Sequence, residues 1–388
     1  MKGIWIIVVA LIIIPACKQV YNAPVNSPAT GYLVVEGFVN SAPQTVTSIQ
    51  LTRTTKLVDT ANVIYEHNAF VTIEGDGNDF YQLSETGNGL YTSDLITLNS
   101  AEKYRLRIVT SDGKEYLSDS STIRSTPDID SISWKLENGG LQTYINTHDS
   151  QGDTKYYQWR YTETWEFHSE YRTSLVYTRD QVGMITGVTY RDPIGNGSID
   201  SLFTCWQSNN STDILIGSSE KLSTDRIYLP LNFIPQADWR LSVLYSINVK
   251  QYALSKNAYD FLSIMKKNTE QLGSIFDAQP SELKGNIHCL TKPDEIVVGY
   301  VEVSQEKEKR IFISNSQAPN WNYVSSCLAP ILIENNIDSI RKKGSLLTPT
   351  EPVEEAPPFS AIVTFDAADP ICVLCTLRGT NVKPGFWP

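Results

Sequence analysis

The chain has 388 residues, with 43 Asp and Glu against 32 Lys and Arg and a formal net charge of −11, which argues against a nucleic-acid partner because phosphates would be repelled. Twenty Tyr and eight Trp against three Met lean towards a β-rich extracytoplasmic protein. The length allows two or three domains, each with its own core.

In chain order, the first feature is an unbroken apolar run of eleven residues, Ile4 to Ile14, behind Lys2. It is far short of the roughly 20 residues that cross a bilayer and fits a signal-peptide core. The run ends at Ile14-Pro15-Ala16-Cys17, which resembles the lipobox of bacterial lipoproteins. That resemblance implies cleavage before Cys17 and its lipidation; the alternative is an ordinary signal peptide followed by a structural cysteine. Residues 1–17 are therefore read as a lipoprotein signal ending at the lipobox cysteine. Residues 18–30, polar and holding Pro24 and Pro28, read as a flexible tether with a reach of roughly 20 Å. Later apolar runs are only a few residues long, so the remainder is expected to be a body held at the membrane by lipid.

From residue 31 to 128 short segments alternate between apolar and polar positions, with Asp76-Gly77, Asn88-Gly89 and Ser111-Asp112-Gly113 as turns. In Lys103 to Ile108, Tyr104, Leu106 and Ile108 share one face and Arg105 and Arg107 the other. This spacing predicts an immunoglobulin-like β-sandwich of about 100 residues.

Residues 129–388 read as a larger β-rich domain. In Tyr156 to Phe167 the residues Tyr157, Trp159, Tyr161, Trp165 and Phe167 fall on one face at period two. They form either a stacking platform for a flat ligand or, as buried aromatics favour, a core face. Arg179 to Ile199 reads as a long loop or hairpin excursion whose carboxylates Asp180 and Asp192 match no ordered calcium motif. A long amphipathic helix is expected near 256–272, capped by Ser255, with the stripe Ala258, Phe261, Leu262, Met265, Thr269 and Leu272 and with Gly273 as terminator. The fold class is thus mainly β: an N-terminal immunoglobulin-like sandwich, then a larger β-rich domain with one long helix and a cysteine-containing tail.

Several blocks carry a family resemblance: Tyr245-Ser246-Ile247-Asn248-Val249-Lys250-Gln251-Tyr252-Ala253-Leu254-Ser255, Ala258-Tyr259-Asp260-Phe261, Gly285-Asn286-Ile287, Pro293-Asp294-Glu295 with Val298-Gly299-Tyr300, and the tail from Cys372 to Trp387. The tail has one Gly, at 379, where the pattern leads one to expect a pair. These blocks are similar to those of the Bacteroidota outer-membrane lipoproteins that carry domain of unknown function 4249. The resemblance implies an accessory of TonB-dependent outer-membrane transporters and transfers no catalytic residue.

Besides Cys17 there are Cys205, Cys289, Cys327, Cys372 and Cys375. In an exported chain these are disulfide candidates before they are zinc ligands, with connectivity left open. The pair Cys372 and Cys375 follows the proline-rich stretch Thr348 to Pro358 and reads as a clip for the C-terminus. No metalloprotease, nucleophile-elbow or phosphate-loop motif occurs, and the four His are scattered. The expectation is a non-enzymatic protein without cofactor, lipid-anchored at the outer membrane on the cell-surface face. It would capture a glycan, peptide or other nutrient beside a TonB-dependent barrel transporter. The alternatives are a surface glycan- or peptide-degrading enzyme and a structural or adhesive lipoprotein.

Overall fold

A computed structural model describes residues 31–55, 63–191, 200–270, 284–357 and 361–388. The leader, Cys17 and the tether lie outside the described residues, as do Asp192, Leu272 and Gly273.

The first pass of the chain forms β1 (Leu33–Asn40), β2 (Ser48–Arg53), β3 (Ile64–Tyr65), β4 (Phe70–Gly75), β5 (Phe80–Gly87), β6 (Leu90–Ser93), β7 (Lys103–Val109), β8 (Glu115–Ser118) and β9 (Ser121–Thr122). In β7, Tyr104, Leu106 and Ile108 are buried while Arg105 and Arg107 turn outward onto Glu74, at 2.9 and 2.5 Å. Asn88 and Gly89 both take positive φ, 51° and 66°, the twist a two-residue hairpin needs. Pairing runs β1–β2–β6 on one side and β4–β7–β8 on the other, with β5 bonded to both β4 and β6. This is the Greek-key order of an immunoglobulin-like sandwich.

The second pass lays down β10 (Ile129–Glu137), β11 (Gly140–His148), β12 (Tyr156–His168), the hairpin β13 (Leu175–Arg179) and β14 (Ile185–Tyr190), then β15 (Thr204–Asn210), β16 (Leu215–Ser218), β17 (Arg226–Pro235) and β18 (Leu244–Ala253). Strands β10–β11–β17 make one sheet; β15, β16 and β18 all pair with β12 in another. Their inner faces meet around Trp159, Phe167, Tyr245, Ile145 and Ile234.

One 15-residue helix follows, α1 (Lys256–Glu270), with the Ser255 hydroxyl accepting from the Ala258 amide at 3.1 Å. The expected long apolar stripe is corrected here. Ala258 and Phe261 alone are buried in α1, while Leu262 and Met265 stay half-buried. The last turn of α1 is tied to the start of β16, where Lys266 donates to the Ile214 carbonyl at 2.6 Å and Glu270 accepts the Ile214 amide at 2.8 Å. Its first turns fill the seam between the sandwiches, where Phe38 stacks on Tyr252 at 4.1 Å.

The chain then returns to the first sandwich. β19 (Ile287–Cys289) pairs antiparallel with β8, while β20 (Val298–Gly299) and β21 (Val303–Ser304) run parallel to β1. Ile287, Val297, Val301 and Val303 complete the first core. Residues assigned by sequence to the second domain thus finish the first one. A Cβ on Gly285 would collide with the Gly299 carbonyl oxygen, and both Asn286 amide groups bond the Val301 main chain at 2.8 Å. These family-like residues latch the returning chain onto the first sandwich, and Gly285, Asn286 and Tyr300 also line a pocket of about 330 Å³ with Asp260 and Phe261.

β22 (Lys307–Ser314) then joins the edge of β18. A third module pairs β23 (Ile331–Glu334) and β24 (Thr348–Ala356) with β25 (Ala361–Ala368), and packs on the β13–β14 hairpin through Leu175, Val188, Ile333, Ile340 and Phe365. The proline-rich stretch that begins at Thr348 is largely strand. The tail is fastened by two disulfides, Cys205–Cys375 and Cys327–Cys372. Thr380 exchanges main-chain bonds with Trp206 at 2.8 and 2.9 Å, and the Trp387 indole donates to Glu166 at 2.9 Å. A Cβ on Gly379 would strike the Trp206 carbonyl oxygen, so the single glycine there is the one the turn requires.

Candidate functional site

The sequence-derived platform is dispersed into the core. Tyr157, Trp159 and Trp165 are 0, 1 and 4 % exposed and Tyr161 is half-buried against the same cluster, so their faces are filled by neighbouring side chains and no ligand can stack there. The Trp159 indole donates to Gln251 at 2.8 Å. Of the cysteine candidates, Cys205, Cys327, Cys372 and Cys375 are paired, and Cys289 is a free thiol buried in the first core. Cys372 lies in the short helix Pro370–Val373, not in a bare tail.

Two carboxylates whose side chains are almost wholly covered, Glu163 and Glu295, gather several donors each. Glu163, 3 % exposed, accepts from Arg240 at 3.0 Å, Asn232 at 2.8 Å and the Tyr245 hydroxyl at 2.9 Å. Burial, helped by Glu163, pushes the Tyr245 hydroxyl well up and Tyr161 up to about 12. Every partner is satisfied, as a structural ion pair requires.

Glu295 is the second. It accepts from the Tyr116 hydroxyl at 2.7 Å, and Lys114 lies at 2.9 Å. Burial alone would raise its carboxyl. The Tyr116 and Lys114 hydrogen bonds outweigh that and hold it below the ordinary glutamate range. A depressed folded-state pKa contributes stability above the unfolded value of about 4.3, and that contribution is lost as pH falls through the folded value. Glu295→Gln is therefore expected to lower unfolding free energy by about 1 to 2 kcal/mol at neutral pH. The gap to wild type should narrow below about pH 4. Urea unfolding at pH 7 and at acid pH checks this, and a gap independent of pH would contradict it.

Between the sandwiches, residues 122–128 and 149–154 leave a cleft of about 760 Å³, lined also by Asp130, His148, Ala253, Leu254 and Lys307. Its charges are largely paired within the fold. Lys307 meets Asp128 at 2.8 Å, and His148 Nδ1 lies 2.7 Å from Asp130. The Asp149 carboxylate accepts the Thr154 and Gln151 amides at 2.7 and 2.9 Å. Burial opposes its ionisation, but those amides hold it below the usual carboxylate range. His148 and Asp130 form an acid–base pair in the cleft. Among the described residues no hydroxyl is bonded to His148 Nε2, and no trio of His, Cys, Asp or Glu is placed to hold a metal. The arrangement can receive a polar ligand by hydrogen bonding. No motif announced it; only the alternation of β11, with Leu141, Thr143, Ile145 and Thr147 inward, would have put His148 on the outside.

These observations define a disulfide-locked protein of several β-sheets with a polar cleft between two sandwiches. The family model described as domain of unknown function DUF4249 matches residues 18–310, and the chain belongs to that family. No curated protein matches it. Among solved structures, a DUF4785 family protein from Legionella pneumophila is 8 % identical over 56 % of this chain and 52 % of its own, with a TM-score of 0.21. The match thus spans about half of that protein. Collagen adhesin from S. aureus is 8 % identical over 74 % of this chain and 95 % of its own, with a TM-score of 0.13. Neither likeness carries an argument about function.

Proposed function

We propose that this protein is a non-catalytic outer-membrane lipoprotein of the Bacteroidota, held on the cell-surface face, that captures substrate beside a TonB-dependent barrel transporter. The observation that carries the reading is a Cys17 that closes an apolar leader and opens a short polar tether, joined to a body whose tail is locked by two disulfides. Disulfides persist in oxidising, extracytoplasmic surroundings. Among the described residues no helix is long and apolar enough to cross a membrane, so the anchor in this reading is lipid. Two proteins confined to one leaflet meet at high effective concentration and need only modest intrinsic affinity.

Crosslinking in intact cells, followed by mild detergent extraction and mass spectrometry, is expected to recover a TonB-dependent barrel joined to the β-sandwiches. Recovery of self-contacts alone would overturn the transporter reading in favour of an adhesive protein. The His148–Asp130 pair favours the enzymatic alternative. Turnover of a glycan or peptide library that His148→Ala abolishes would establish it.

A further inference from the structure

The aromatic face expected along β12 is buried, but the opposite sheet presents another one outward. In β10–β11–β17 the residues Leu141, Ile145, Ile227 and Ile234 point into the core. Register then turns Gln142, Tyr144, Asn146 and His148 of β11 outward, beside Ser131, Ser133 and Lys135 of β10 and Tyr228, Pro230 and Phe233 of β17. Tyr144 and Tyr228 stack with centroids 4.7 Å apart and planes 8° from parallel. They are not directly opposite, since Tyr144 faces Pro230 and Tyr228 faces Asn146. Tyr228 is 45 % exposed and Phe233 37 %. β17 has no hydrogen-bonded neighbour beyond β11 among the described residues, so the far side of the Tyr228 ring is not covered by a further strand.

We propose that this outward face binds a neutral glycan chain, with the Tyr228 ring as its stacking platform. The proposal rests on the capture reading above and names the class of substrate. The C–H face of a pyranose is apolar and flat and suits an exposed aromatic plane, while its rim of hydroxyls needs donors and acceptors. Ser131, Ser133 and Asn146 supply uncharged groups of that kind beside the rings. Near the rings the charges are engaged within the sheet: Glu137 accepts the Tyr144 hydroxyl, His148 meets Asp130, and Lys135 Nζ lies 5.3 and 5.6 Å from the two ring centroids, while the exposed Arg226 stands opposite His148 at the end of the strip. The centre of the strip therefore matches an uncharged polyol better than an ionic ligand. From Gln142 to His148 it runs about 20 Å at the rise of a strand, long enough for an oligosaccharide. Its His148 end opens into the 760 Å³ cleft, which would receive the chain's continuation.

The test is native affinity electrophoresis of the full-length lipoprotein in detergent, in gels containing soluble glucan, xylan or galactomannan. At least one of these is expected to retard the wild type. Tyr228→Ala should weaken that retardation by about tenfold while lowering the melting temperature by no more than a few degrees through loss of the Tyr144 stack, and Tyr228→Phe should retain it because the ring face is kept. Failure of all three polysaccharides to retard the wild type overturns the proposal, and so does equal retardation of Tyr228→Ala. Either failure leaves the transporter contact standing if crosslinking recovers the barrel. Loss of the barrel contact with glycan binding intact would remove the accessory role and keep the strip.

Discussion

Replacing Cys205 and Cys375 together by alanine is expected to lower the unfolding free energy by about 5 kcal/mol. The bridge spans a sequence separation of 170 residues, and a loop of that size loses much chain entropy in the unfolded state when it is closed. Cys327–Cys372 spans 45 residues, and the same model gives about 4 kcal/mol for its removal. The larger effect should also be visible locally. Cys375 holds the turn that leads to Gly379 and the Thr380 pairing with Trp206, and beyond it Trp387 reaches Glu166. Hydrogen exchange should therefore quicken first at Trp206 and Thr380 in the Cys205/Cys375 variant, and in the third module in the Cys327/Cys372 variant. Equal stability of oxidised wild type and the Cys205/Cys375 variant, measured by denaturant unfolding, would refute the clamp.

Replacing Cys17 by alanine is expected to move nearly all of the protein from the membrane fraction to the soluble fraction, with loss of labelling by a clickable fatty acid. Acyl chains contribute about 0.8 kcal/mol per buried methylene, so two or three chains hold a protein on a bilayer and none leaves it free. No helix among the described residues could replace them. A variant that stays membrane-bound and labelled would place the anchor elsewhere. Protease shaving of intact cells, applied to the wild type, reads which face the body occupies. Digestion confined to lysed cells would put the protein on the inner face.

Much of this molecule was legible locally. The alternation of Tyr104, Leu106 and Ile108, the Asn88-Gly89 turn and the Ser255 cap each depend on residues within a few positions of one another, so sequence alone determined them. The blocks that mark the DUF4249 family were legible as well, but their purpose was not. Gly285, Asn286 and Gly299 matter because a strand of two residues must lie close against β1, and a period-two pattern cannot show in so short a strand. The tertiary structure also decided which aromatic face is open. Tyr157 and Trp159 on β12 and Tyr144 and Tyr228 on the opposite sheet satisfy the same local rules. Only the packing of the two sheets determines which set faces inward, because burial belongs to what lies across the core. Disulfide partners followed the same logic: Cys372 and Cys375 are near neighbours in sequence, yet each bonds a cysteine brought to it by a different strand or loop.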